Sequence, residues 1–179
     1  LLAHSVATGA GLTALIWIFI SVSGAHFNPA VTIVMYLKRE ISAKDSICYI
    51  VSQLIGGILG ALLANSMFGL DILSISDTDR GGLNIYIGEF VATFGLLITI
   101  LGAKKFNTLI IAPAVGLYIT AAIWFTSSTA FANPAVTLGR VFSDTFTGID
   151  PAFIAYFILF QICGAITAYY IMNFVQSET

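Results

Sequence analysis

Apolar residues run through this chain in long, nearly uninterrupted blocks. Five of them, at 1–22, 46–68, 85–102, 108–125 and 151–174, are long enough to cross a bilayer as helices, which takes roughly 20 mostly apolar residues each. Two further apolar segments, 30–37 and 135–142, are too short to span, and each follows an Asn-Pro-Ala. The links between blocks are short. The pattern predicts an all-α membrane protein forming one domain over 1–179, with no soluble domain and no linker.

Composition agrees with the pattern. Hydrophobic residues make up 58% and charged residues 9%, with a mean hydropathy of +0.97, whereas soluble domains average about a quarter charged. So little surface charge requires contact with lipid. A net charge of −2 gives no footing for a nucleic-acid partner. Cys48 and Cys163 sit inside apolar stretches and read as packing residues, with no disulfide framework. His4 and His26 have no Cys or acidic neighbours at ligand spacing, so neither a metal site nor a cofactor is expected. No nucleophile–base pair and no phosphate loop occurs, so no catalytic role is expected.

Orientation follows from the cations. Lys38, Arg39 and Lys44 lie between the first and second blocks, and Lys104 and Lys105 between the third and fourth. These two links share one side if the spans alternate. The opposite side holds Arg80 and Arg140 with Asp71, Asp77, Asp79, Asp144 and Asp150. By the positive-inside rule the basic side is cytoplasmic, as for a multi-pass protein of the plasma (inner) membrane.

The chain also repeats itself. Residues 28–32 and 133–137 are both Asn-Pro-Ala-Val-Thr, offset by 105, and Gln53-Leu-Ile-Gly-Gly downstream of the first matches Gln161-Ile-Cys-Gly-Ala downstream of the second. One repeat of this length across an odd number of spans predicts inverted halves, 1–68 and 85–174. The boxes then enter the membrane from opposite sides. Asn is a strong N-cap and Pro is favoured at the first helical position, so Asn28-Pro29 and Asn133-Pro134 each start a helix at a defined point. Each half-helix is roughly 10 residues, about 15 Å. Two meeting head to head match the ~30 Å hydrocarbon layer. The irregular backbone before each Asn is tolerable at that depth only where it lines a water-filled cavity.

The residues Ser23-Gly-Ala-His-Phe-Asn-Pro-Ala-Val-Thr32, with Asn133-Pro134-Ala135, resemble the signature of the aquaporins and glycerol facilitators over essentially the whole chain. The resemblance implies a passive channel for small neutral solutes, assembled as a homotetramer. It places Asn28, Pro29, Ala30, Asn133, Pro134 and Ala135 at the pore centre, where the two Asn side chains donate to the permeating oxygen. The positive helix ends there disfavour cations and protons. The carbonyls near 24–26 and 130–132 become an acceptor ladder.

One departure bears on selectivity. Most of the family carries Arg directly after the second box, and this chain has Val136. The other filter positions, carried over by spacing, are Thr8 or Ala10, Ile123 or Trp124, and Ala130. None is charged, so the filter reads as wide and weakly polar. A bacterial branch of the family also continues Val-Thr, and that likeness implies passage of water, glycerol-like polyols and undissociated arsenite. Arg140, four residues past Val136, is either a displaced filter cation or a solvated residue at the rim.

Glu89 is the only acid well inside a span. The resemblance makes it a scaffold for the second re-entrant loop, and Gln53 and Gln161 read as hydrogen bonders between helices. The rival role for Glu89 is a proton relay, as in an ion-coupled secondary transporter with inverted repeats. A scaffold that conducts nothing is the third class. Gly56-x-x-x-Gly60 reads as close packing within the monomer. Trp17 and Trp124 read as lipid-facing or core. Two blocks precede the second box and only 1–22 precedes the first. Matching halves lead to the expectation of a further helix ahead of residue 1, in a native protein longer by roughly 25–45 residues.

Overall fold

The computed structural model describes residues 1–177. Five long helices, α1 (Leu2–Ser23), α3 (Ala43–Met67), α4 (Leu83–Ala103), α5 (Thr108–Phe125) and α7 (Ile154–Ser177), carry the five apolar blocks. Two short ones, α2 (Pro29–Leu37) and α6 (Pro134–Gly139), carry the segments after the boxes. Local chemistry sets the ends. The Ser42 hydroxyl accepts the Asp45 N–H and starts α3 three residues before its apolar block. Asn107 caps α5 by accepting from Leu109 at 2.9 Å. Asp150 caps a 3₁₀ turn, Pro151–Phe153, that leads into α7. The α6 helix is shorter than expected, because its last turn tightens into a 3₁₀ turn at Arg140–Phe142.

The two most extensive helix pairings are α4 with α7 and α1 with α5, and the α1–α5 pair is built the same way from both sides. A Cβ at Gly9 would lie 2.6 Å from the Gly116 carbonyl oxygen, and a Cβ at Gly116 would lie 2.6 Å from that of Gly9. The hydroxyls of Thr13 and Thr120 bond back to Gly9 and Gly116, each at 2.8 Å. Each then reaches across, Thr13 to the Ala112 carbonyl at 3.4 Å and Thr120 to the Ser5 carbonyl at 3.3 Å. Small residues that let backbones meet, reinforced by hydroxyl bonds, are how helices associate where burial of apolar surface offers no drive.

Trp17 and Trp124 complete the pair and are more than lipid-facing bulk. The Trp124 indole donates to the Ser5 hydroxyl at 2.9 Å. The Trp17 indole donates to the Leu109 carbonyl at 3.0 Å. Pro113 inside α5 lacks the N–H that would otherwise bond Leu109, four residues back, so Trp17 supplies the missing donor. Trp17→Phe is expected to cost about 1 kcal/mol, read as a lowered melting temperature in detergent. An unchanged midpoint would remove the assignment.

Two expectations are corrected. Cys48 and Cys163 are exposed on the outside of the bundle, so they do not pack within it. Gly56 and Gly60 also face outward, with nothing within 4 Å of a Cβ built on either. The close approach on α3 belongs to their neighbour Gly57, where a Cβ would lie 2.5 Å from the Ala135 carbonyl oxygen. A one-residue step turns a helix by about 100°, which is why the glycine pair points away from α6 and Gly57 points at it.

Candidate functional site

Each Asn-Pro-Ala is reached through backbone of unusual handedness. Gly24, Ala25 and Phe27 have φ of 72°, 49° and 48°, and Thr129, Ala130 and Ala132 have φ of 62°, 49° and 49°. Non-glycine residues in this region cost of order 1 kcal/mol or more each and persist only where surroundings over-determine them. For the second loop the surroundings are plain. The buried Glu89 carboxylate accepts the N–H groups of Phe131 and Ala132, both at 2.9 Å. Gln161 donates to the same carboxylate at 2.5 Å and to the Thr137 hydroxyl at 2.9 Å. Gln53 makes the matching bond in the other half, to the Thr32 hydroxyl at 2.9 Å.

The two boxes then lock to each other. Asn28 Oδ1 caps α2 by accepting from Ala30 at 2.9 Å, while its Nδ2 donates to the Ala132 carbonyl at 2.7 Å. Asn133 Oδ1 caps α6 by accepting from Ala135 at 2.9 Å, while its Nδ2 donates to the Phe27 carbonyl at 2.9 Å. A side-chain amide has two N–H donors. Each Asn therefore keeps one without a protein acceptor among the described residues, and both side chains line one cavity of about 710 Å³. Two helix N-termini, each equivalent to about +0.5 charge, point at the same place.

Of the alternatives at the filter, Thr8, Ile123, Ala130 and Val136 line this cavity. Ala10 is not among its lining residues, and neither is Trp124, whose indole is engaged with Ser5. Glu89, Gln53 and Gln161 stand behind the wall. At the basic end the cavity is flanked by an ion pair between Lys104 and Glu40, and the Lys104 ammonium also meets the Met35 sulfur at 3.7 Å. At the acidic end Arg140 and Phe131 join the lining. Burial holds the nearby Arg80 guanidinium below its ordinary pKa, with Glu89 opposing. Sequence alone did not single out the Lys104–Glu40 pair or Phe131. The signal for Phe131 was its place between Ala130 and Ala132 in the loop ahead of a box.

Comparison with known proteins supplies the family. The family model for major intrinsic proteins matches residues 1–107. An aquaglyceroporin of Rhizobium meliloti, AqpS, is 44% identical over 175 residues, covering 98% of this chain and 75% of its own length. The chain belongs to the major intrinsic protein family. A probable aquaporin of Archaeoglobus fulgidus, AqpM, is 29% identical over 98% of this chain and 77% of its own. The solved aquaglyceroporin of Plasmodium falciparum superposes with a TM-score of 0.72 at 22% identity, over 95% of this chain and 79% of that one. The major intrinsic protein fold is thus shared where little sequence is. In this member, five membrane-length helices among the described residues make a multi-pass protein.

Proposed function

We propose that this chain is a passive channel for water and small neutral solutes of the glycerol class, its basic end cytoplasmic, with arsenite as a further solute. The observation that carries the reading is the pair of Asn amides that cap facing half-helices, bond each other's loop and keep a free N–H each in one cavity. A permeating oxygen replaces its lost water contacts with those donors, while the positive helix ends repel cations. The relatives are named as aquaporins and aquaglyceroporins, names of channels, which supports a conducting role. In this reading 1–68 and 85–174 are the inverted halves of one domain, Thr8, Ile123, Ala130 and Val136 form the filter, and assembly is a homotetramer.

An ion-coupled transporter needs an ionisable group that meets the substrate path. Glu89 does not line the cavity, and its carboxylate is occupied by two backbone N–H groups and an amide. That favours scaffold over proton relay. The test is Asn133→Asp in proteoliposomes. A carboxylate cannot donate to the Phe27 carbonyl and would set oxygen against oxygen, a change of about 1–3 kcal/mol that also brings negative charge to the constriction. Glycerol flux should fall by on the order of tenfold and cation exclusion should weaken. If neither readout moves, Asn133 does not sit at the constriction.

A further inference from the structure

At the acidic end of the cavity two guanidiniums rest against one buried phenyl ring. Arg140 lies 4.0 Å from the centroid of Phe131 and Arg80 lies 4.8 Å from it. The two arginines differ in what they have left to offer. Arg80 is tied to backbone, its Nε donating to the Gly148 carbonyl at 2.6 Å and its Nη2 to that of Phe146 at 3.0 Å. Arg140 lines the cavity, and its guanidinium has no hydrogen-bond acceptor among the described residues. A cation over a ring face is held by the ring quadrupole. The ring itself is held by packing, buried against the Phe157 ring with centroids 5.1 Å apart, and its backbone is held by the N–H bond to Glu89 at 2.9 Å. Arg140 is therefore a positioned cation with free donors facing the lumen, and this is not the environment of a solvated residue at a rim.

One helical turn nearer the pore centre the lining changes character. The side chains of Val136, Ile123 and Ala130 offer only hydrocarbon there, beside the single hydroxyl of Thr8. We infer, on the pore reading above, that this channel divides its selectivity filter. The apolar wall around Val136 sets solute size, and Arg140, about 6 Å further out by the helical rise, sets charge and acceptor preference. A cation meets the Arg140 charge, reinforced by Arg80, before it reaches the apolar segment. A neutral solute rich in hydroxyl oxygens is drawn to the unpartnered guanidinium, whose planar fork takes two oxygens at once. Where one side chain both narrows and charges a filter, size and charge preference change together. Here each is alterable alone.

The experiment uses the full chain in proteoliposomes at neutral pH, with two permeability ratios. Erythritol relative to glycerol reads size, and methylammonium relative to formamide reads charge at similar size. Arg140→Met keeps a stem against the ring and removes the cation, and should raise the charge ratio about tenfold while the size ratio stays put. Arg140→Lys should restore the wild-type charge ratio. Val136→Leu should lower the size ratio severalfold without moving the charge ratio. Lys44→Gln, an exposed cation at the basic end, should leave both alone. A merely structural role for Arg140 would slow all solutes together with both ratios intact, and that result overturns the inference. So does a set of variants in which the two ratios always move as one. A wild-type chain that passes neither water nor glycerol overturns the pore reading and the divided filter with it.

Discussion

Gly116→Val is expected to leave little folded channel. The first carbon of any side chain at 116 lands 1.9 Å from the Thr13 hydroxyl oxygen and 2.6 Å from the Gly9 carbonyl oxygen. The hydroxyl can rotate away, but the carbonyl belongs to helix backbone and moves only if α1 and α5 separate. Separation breaks the cross-helix bonds of Thr13 and Thr120 and displaces the indoles of Trp17 and Trp124 from their partners. Over-packing alone costs about 1–3 kcal/mol, and the lost hydrogen bonds add about 0.6 kcal/mol each in a membrane setting. Gly9→Val should do the same, since the contact is reciprocal. Gly60→Ala is the control, because nothing lies within 4 Å of a Cβ there. Monodispersity and melting temperature in a mild detergent are the readouts. A Gly116→Val protein that melts with wild type would mean the helices are not packed this closely.

Glu89→Leu should abolish conduction while the helices remain inserted. Its carboxylate is the acceptor for the N–H groups of Phe131 and Ala132 and for the Gln161 amide, all of them buried. Each buried donor left without an acceptor costs about 1–3 kcal/mol, and at least three are orphaned at once. The left-handed residues Thr129, Ala130 and Ala132 then lose the restraint that holds them, and Asn133 loses its aim. Glu89→Gln keeps one acceptor oxygen and turns an NH2 toward a backbone N–H, so it should conduct at an intermediate rate. Glycerol uptake by wild type and by Glu89→Gln should be indifferent to an imposed proton gradient. Wild-type uptake that follows the gradient and loses this dependence in Glu89→Gln would show a proton relay in place of a scaffold.

Much of this site is legible in the sequence because the chemistry that makes it is local. Asn-Pro starts a helix wherever it occurs, and two copies 105 residues apart announce two half-helices. The α1–α5 contact is legible in principle as well. Gly9, Thr13 and Trp17 recur as Gly116, Thr120 and Trp124, the same four-residue spacing offset by 107. A glycine, a threonine and a tryptophan so spaced say nothing about which helix they meet, and Gly56 and Gly60, equally well spaced, meet nothing.

The sequence by itself determined the number of membrane-length helices, the two capped half-helices and the few polar side chains carried into the bilayer. It does so because lipid leaves a chain few ways to satisfy its backbone. Only the tertiary structure decided that Thr8 and Ile123, and not Ala10 and Trp124, line the cavity, since a residue or two of helix rotation exchanges wall for lumen. It also decided that Arg140 lies on Phe131 in that lumen. The direction of that long side chain depends on the Phe131 ring nine residues back, on the Glu89 carboxylate that holds the Phe131 loop from 42 residues away, and on Arg80, brought to the same ring from 60 residues before Arg140. No local pattern encodes that meeting.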